Sequence, residues 1–204
     1  MPNWCYQTIT VKGPREEQLR LVEETRIQGD EPNVRSLRLA NLVPLDPRAI
    51  KMISSSGSEY STFSSEEDGF DGYMHALEIW GSKWGDCETA VTDEECEQTI
   101  LWTKSAWSPI NNLLINISKQ FPALAFCSMY SEEFNHFAGC ILIKDGRILD
   151  EYQADVEEVF FSKGLAPSTI DEEHERFLKA EEKLHDLISG ASIRMISDLE
   201  KVLG

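Results

Sequence analysis

Basic residues are scarce in this chain: 19 Lys and Arg stand against 36 Asp and Glu, a formal net charge of −17. Binding a phosphate backbone over a broad face needs clustered Lys and Arg, so the expectation is no direct nucleic-acid binding. Such a charge favours solubility, basic protein partners or mimicry of nucleic acid. Long apolar runs are missing as well; none approaches the roughly 18 residues of a membrane span. The opening residues, Met1-Pro2-Asn3-Trp4-Cys5, carry neither the basic nor the apolar stretch of a secretory signal, so a cytoplasmic location is expected.

Catalytic and metal-ligand spacing is also lacking. His75, His136, His174 and His185 are scattered with no His-x-x-x-His pair, and no Cys-x-x-Cys occurs. Cys87 and Cys96 bracket an acidic stretch without the usual partner spacing. His136 beside Glu132 and Glu133 comes nearest to an acid–base set, but a loop histidine near surface carboxylates is ordinarily incidental. The expectation is a protein that is not an enzyme and uses no metal and no cofactor. Five cysteines (Cys5, Cys87, Cys96, Cys127, Cys140), odd in number and widely spread, read as reduced and mostly buried.

What the chain does have is tryptophan, five in 204 residues. Trp80-Gly81-Ser82-Lys83-Trp84 sets two indoles around a glycine and a lysine, while Trp4, Trp102 and Trp107 lie near the ends of strand-like segments. If those ends converge, the rings form one aromatic cluster with a polar handle on each.

Hydrophobic periodicity orders the segments. Residues 3–11 alternate as a strand, with Cys5, Gln7, Ile9 and Val11 on one face and Trp4, Tyr6, Thr8 and Thr10 on the other. Arg15 to Ile27 has helical spacing. Residues 30–71 read as an inserted loop, broken by Pro44 and Pro47 and rich in Ser, Gly and acidic residues from Ser54 to Asp71. Gly72 to Trp80 reads as a second strand, and Asp86 to Glu97 as an acidic connection. Thr99 to Trp107 reads as a third strand, Ile110 to Gln120 as a helix opened by Ser108-Pro109, and Leu124 to Ser131 as a fourth strand.

The order β-α-β-β-α-β implies an α+β, ferredoxin-like split βαβ sandwich. An extra β-hairpin turns at Asp145-Gly146. A C-terminal helical extension follows, expected as two amphipathic pieces broken near Gly190. The expected division is a domain over 1–153 and the extension over 154–204. The apolar stripe of that extension must dock on the sheet or on a second copy, which brings in a homo-oligomer as an expectation.

Four motifs in order, Pro2-Asn3-Trp4-Cys5, Trp80-Gly81-Ser82-Lys83-Trp84, Ala106-Trp107-Ser108-Pro109 and Tyr130-Ser131-Glu132 with Phe137-Ala138-Gly139, resemble the YubB-like, Api-type family of phage and prophage proteins. The resemblance covers roughly residues 1–150. It implies a ferredoxin-like domain and a phage origin, hence the host cytoplasm, and brings no established activity. The chain departs from the pattern at Tyr6-Gln7 and at Glu133.

With sheet order 4-1-3-2, and strands 1 and 3 taken as parallel, the motifs converge on one sheet end while Trp107 falls at the other. The ligand-binding set expected there is Asn3, Trp4, Trp80, Gly81, Lys83, Trp84, Tyr130 and Glu132. Indole faces stack on a flat ligand such as a nucleobase, and Lys83 with the Asn3 amide would meet a phosphate or ribose. The expected function is an accessory protein that acts by binding, counteracting host defence by sequestering a nucleotide-type small molecule. Two alternatives stay open. The rings can simply seal a structural corner, or the acidic surface can inhibit a basic host protein as a DNA mimic. RNA-binding domains of this topology set aromatics on the two central strands, where Tyr6 and Trp102 fall, but their glycine- and aromatic-rich signature is missing and the charge is wrong.

Overall fold

Alternation in the first strand is borne out: in β1 (Trp4–Lys12) Cys5, Gln7, Ile9 and Val11 are buried and the residues between them are not. The computed structural model describes residues 2–27, 36–49, 70–94, 97–134, 136–161 and 170–203. The loop expected over Ser54–Asp71 lies outside them except for residues 70 and 71.

After β1 come α1 (Arg15–Thr25), β2 (Ser36–Leu37), a 3₁₀ turn (Leu39–Leu42), α2 (Gly72–Trp80), β3 (Cys87–Glu94) and β4 (Gln98–Ala106). The chain continues with α3 (Asn111–Gln120), β5 (Ala125–Glu132), β6 (Ala138–Lys144), β7 (Arg147–Gln153), α4 (Val156–Phe161) and α5 (Ile170–Leu203). The strands form one sheet of order β2-β3-β4-β1-β5-β6-β7, antiparallel throughout. Its central four strands, β3-β4-β1-β5, have the ferredoxin-like order, and β6–β7 is the expected hairpin extending it.

Four expectations are corrected. Gly72–Trp80 is a helix, not a strand. The Asp71 carboxylate accepts the N–H groups of Tyr73 and Met74 at 3.0 and 3.2 Å, a side-chain N-cap, and the buried residues Gly72, Ala76 and Trp80 recur every four positions. The second strand of the ferredoxin-like core is instead Cys87–Glu94, within the stretch taken as an acidic connection. The first and third core strands, β1 and β4, run antiparallel, not parallel. The C-terminal extension is one continuous 34-residue helix through Gly190, preceded by the short α4. Residues 36–49 of the expected insert also contribute to the core through Leu37, Leu39, Ala40, Leu45 and Ala49.

The two faces of the sheet are covered differently. One packs Ile9, Val11, Leu101, Phe126, Ile141 and Ile143 against α1, α2 and α3, through Leu21, Val22, Ala76, Trp80, Leu113, Leu114 and Ile117. On the other, α5 lays Ala191, Met195 and Leu199 over Ala125, Cys127, Cys140 and Leu142 of β5 and β6. That helix stops short of the β4–β1 half of the same face. No described helix is long and apolar enough to cross a membrane.

Candidate functional site

Short segments meet where β1 begins and β4 ends. The Trp107 N–H donates to the Asn3 carbonyl at 2.9 Å. The Ser82 hydroxyl donates to the Ala106 carbonyl at 3.0 Å, and the Ser108 hydroxyl to the Gly81 carbonyl at 2.7 Å. The Trp4 N–H donates to the Glu133 carboxylate at 3.1 Å, and the Glu133 N–H returns a bond to the Trp4 carbonyl at 2.8 Å. Behind them the buried Asp86 carboxylate accepts the N–H groups of Leu39 and Ala40, both at 2.8 Å, and the Thr89 hydroxyl at 2.6 Å. The loop carrying Lys83 and Trp84 is thereby pinned on both sides.

Three indoles meet on this frame. Ring centroids are 6.1 Å apart for Trp4–Trp84 and 5.4 Å for Trp84–Trp107, tilted by 54° and 50°. The Lys83 ammonium lies 5.2 Å from the Trp107 ring, 5.5 Å from Trp84 and 5.9 Å from Tyr73. The Lys104 ammonium stands 4.6 Å from the Trp4 ring. Both are within cation–π range. Lys104 also pairs with the exposed Glu88 at 2.7 Å, whereas Lys83 makes no ion pair among the described residues.

Two further observations mark the place. The Trp84 indole N–H is buried without a hydrogen-bond partner among the described residues, an arrangement that native proteins seldom leave unexplained. Trp107 holds φ at +63°, a left-handed conformation that is strained for a bulky residue, and 42% of its surface is exposed. Strain of this kind clusters where a structure serves a ligand.

Of the residues expected at the site, Asn3, Trp4, Lys83 and Trp84 are brought together. Trp80 is not among them; it is 5% exposed in the core, and its indole N–H donates to the Val43 carbonyl at 2.7 Å. Gly81 ends α2 at φ +80°, and a Cβ there would stand 3.0 Å from the Pro109 carbonyl oxygen. Tyr130 and Glu132 reach the same sheet end but lie opposite Gln7 and Cys5 in the ladder, on the face away from Trp4. The buried Glu132 carboxylate accepts the N–H groups of Phe134 and His136 at 3.0 and 3.2 Å, which ties down the β5–β6 connection. Burial, with the charge of Glu132 adding to it, pushes the Cys5 thiol up to about 12, so it stays protonated. Burial first, then Glu151, does the same to the Tyr130 hydroxyl, also to about 12.

Trp107 belongs to the cluster, contrary to its expected place at the far end. An antiparallel β1–β4 ladder sets Trp4 opposite Ala106, one residue before Trp107. Lys104 and Tyr73 were not expected either. Lys104 alternates with Trp102 on the third strand and would have been placed by a correct strand direction; Tyr73 required the helix.

Residues 83–178 match the family model described as the ferredoxin-like domain in Api92-like protein. No curated protein matches the chain. The crystal structure of the protein api92 from Yersinia pseudotuberculosis is similar in fold, with a TM-score of 0.50 at 11% identity over 82% of this chain and 100% of that one. Residues 83–178 are thus similar to the ferredoxin-like domain of Api92-like proteins, the kind of domain that the motifs of the chain resemble.

Proposed function

We propose that the protein acts by binding, and that its ligand is a nucleotide-type small molecule held at the rim formed by Trp4, Trp84 and Trp107. The observation that carries this reading is the tilted indole cluster with Lys83 poised over two rings and the unpartnered Trp84 N–H beneath. Tilted rings leave an aromatic wall for a base, which stacking holds by roughly 1–3 kcal/mol. Lys83 supplies a cation for a phosphate. The Trp84 N–H, buried beside the rim without an acceptor among the described residues, is an unsatisfied donor that costs about 1–3 kcal/mol. No nucleophile or acid–base pair takes part, so the reading is one of capture without turnover. In the phage setting that the Api-type resemblance implies, capture would withdraw a host defence signal in the host cytoplasm.

A second reading, inhibition of a basic host protein, draws on the edge strand β7 and the helix after it. There Asp150, Glu151, Asp155, Glu157 and Glu158 are all exposed. Charge runs are usually solvated faces, and nothing beside them resembles the indole rim.

Calorimetric titration with cyclic nucleotides and ADP-ribose derivatives tests the first reading. At least one is expected to bind, and Trp84→Ala to weaken it about 5- to 150-fold, the loss of one stacked base. Trp107→Gly relaxes the strained backbone while removing a ring, so it is expected to lose ligand without lowering the melting temperature. No heat from any member of the panel would rule out the rim as a nucleotide site.

A further inference from the structure

The uncovered half of the sheet carries a second aromatic surface beside the rim. Along β1 the side chains facing away from α1–α3 are Trp4, Tyr6, Thr8 and Thr10; along β4 they are Ile100, Trp102 and Lys104. Tyr6 and Trp102 lie diagonally across the ladder with ring centroids 6.3 Å apart and planes only 28° from parallel. They form a broad, nearly flat platform, and Tyr6 is 37% exposed. The helix α5 walls this face at the β5 side, where Lys12 pairs with Glu200 at 2.9 Å. No described element covers the platform itself.

The spacing of the two surfaces is informative. Trp4 and Tyr6 are two residues apart on one strand and point the same way, a separation of about 7 Å at the usual strand rise. Sheets of this topology use aromatics on their central strands to stack successive bases. Lys104 stands between the surfaces: it is directly opposite Tyr6 in the ladder, and its ammonium is 4.6 Å from the Trp4 ring. Its partner Glu88 is 67% exposed and Lys104 itself 17%, so a phosphate can compete with the Glu88 carboxylate for the ammonium from the solvent side. Lys83 offers a second cation at the rim.

We propose that the rim and the Tyr6–Trp102 platform together form one site for a dinucleotide, with a base on each aromatic surface and the linking phosphate at Lys104. This rests on the reading of the rim given above and names the ligand class more closely. The site ends after two bases. Beyond Tyr6 the outward-facing positions of β1 are Thr8 and Thr10, which offer no ring for a third base. The net charge of −17 repels a longer polyanion that would run past these lysines.

Titration of the full chain with AMP, the linear dinucleotide pApA and a 20-nucleotide single strand separates the cases. The expected result is pApA binding about 5- to 150-fold tighter than AMP, the contribution of one further stacked base. Tyr6→Leu and Trp102→Leu, each checked for an unchanged melting transition, are expected to reduce pApA affinity to that of AMP. Lys104→Gln is expected to weaken pApA more than AMP. Equal affinity for AMP and pApA in the wild type, or pApA binding insensitive to both platform variants, overturns the two-base site and leaves the rim reading standing. Failure of AMP and pApA alike overturns the two-base site, and the cyclic-nucleotide and ADP-ribose panel then decides the rim reading. Tighter binding of the 20-mer than of pApA also overturns the proposal, because it shows a site that continues past the second base.

Discussion

The indole N–H of Trp80 donates to the Val43 carbonyl at 2.7 Å inside the core, whereas that of Trp84, four residues on, is buried with no acceptor among the described residues. Sequence spacing alone treats the two as a pair. Helix α2 ends between them: the left-handed Gly81 turns the chain, so Trp80 points into the core with Ala76 while Trp84 is carried out to Trp4 and Trp107. The two rings therefore answer differently to the same change. Trp80→Phe takes the donor from the part-buried Val43 carbonyl, worth up to about 1–3 kcal/mol, and adds a cavity cost. Trp84→Phe relieves a donor that had no partner but leaves a smaller ring, and with the two effects offsetting it is expected to be close to neutral in the free protein. Urea unfolding of the two variants measures the contrast, and equal losses would show that the Trp84 N–H is satisfied in solution.

At the scale of elements, apolar segments bounded by turn residues were readable both in the one-sided β1 and in β6, which is buried on both faces. The strands β1, β4 and β5 and the helices α1 and α3 fall within two residues of their expected limits, and the β6–β7 hairpin turns at the expected Asp145-Gly146. Periodicity misled at α2, because Gly72, Ala76 and Trp80 are the buried positions while Tyr73, His75, Leu77 and Ile79 also read as an alternating strand. The Asp71 cap was the available signal. It misled again at β3, an acidic strand near the sheet edge, paired with β4 and only briefly with β2, where Glu88 and Asp93 are exposed. Strand direction mattered most for the site: once β1 and β4 run antiparallel, Trp107 and Lys104 join Trp4, and no residue pattern within either strand reports that direction. Gly190 was read as a break, yet α5 passes through it, and a Cβ there would meet nothing within 4 Å. Gly190→Ala is accordingly expected to raise stability by about 1 kcal/mol, the helix-interior preference for Ala over Gly. A melting temperature unchanged or lowered by the substitution would argue that the helix is interrupted there.

For the molecule as a whole, titration and charge set the conditions under which it is stable and binds. Burial raises the Cys5 thiol to about 12, while an unfolded thiol ionises near 8.5. Between those values the folded chain holds the proton that the unfolded chain releases, so stability falls as pH rises through this window, by about 1.4 kcal/mol per pH unit for such a thiol. Cys5→Ala is expected to flatten the fall in urea midpoint between pH 9 and 10; a parallel slope would show that the thiol is not the source. Salt acts through the other 36 acidic side chains against 19 basic ones. Added salt shortens the Debye length from ~30 Å at 0.01 M to ~10 Å at 0.1 M, relieving self-repulsion and raising the melting temperature. The same screening removes the long-range repulsion between this chain and an anionic ligand, while the close contacts at Lys83 and Lys104 are screened less. The association rate for pApA is therefore expected to rise or stay level over that range. Proteins that hold a long phosphate backbone behave oppositely, losing affinity steeply as salt releases their counterion advantage. Stopped-flow tryptophan fluorescence at several salt concentrations reads the sign directly. A steep fall in affinity, of about a thousandfold or more between 50 and 200 mM, would mean that many lysines and arginines clasp a polyanion, which is incompatible with a site bounded by two lysines.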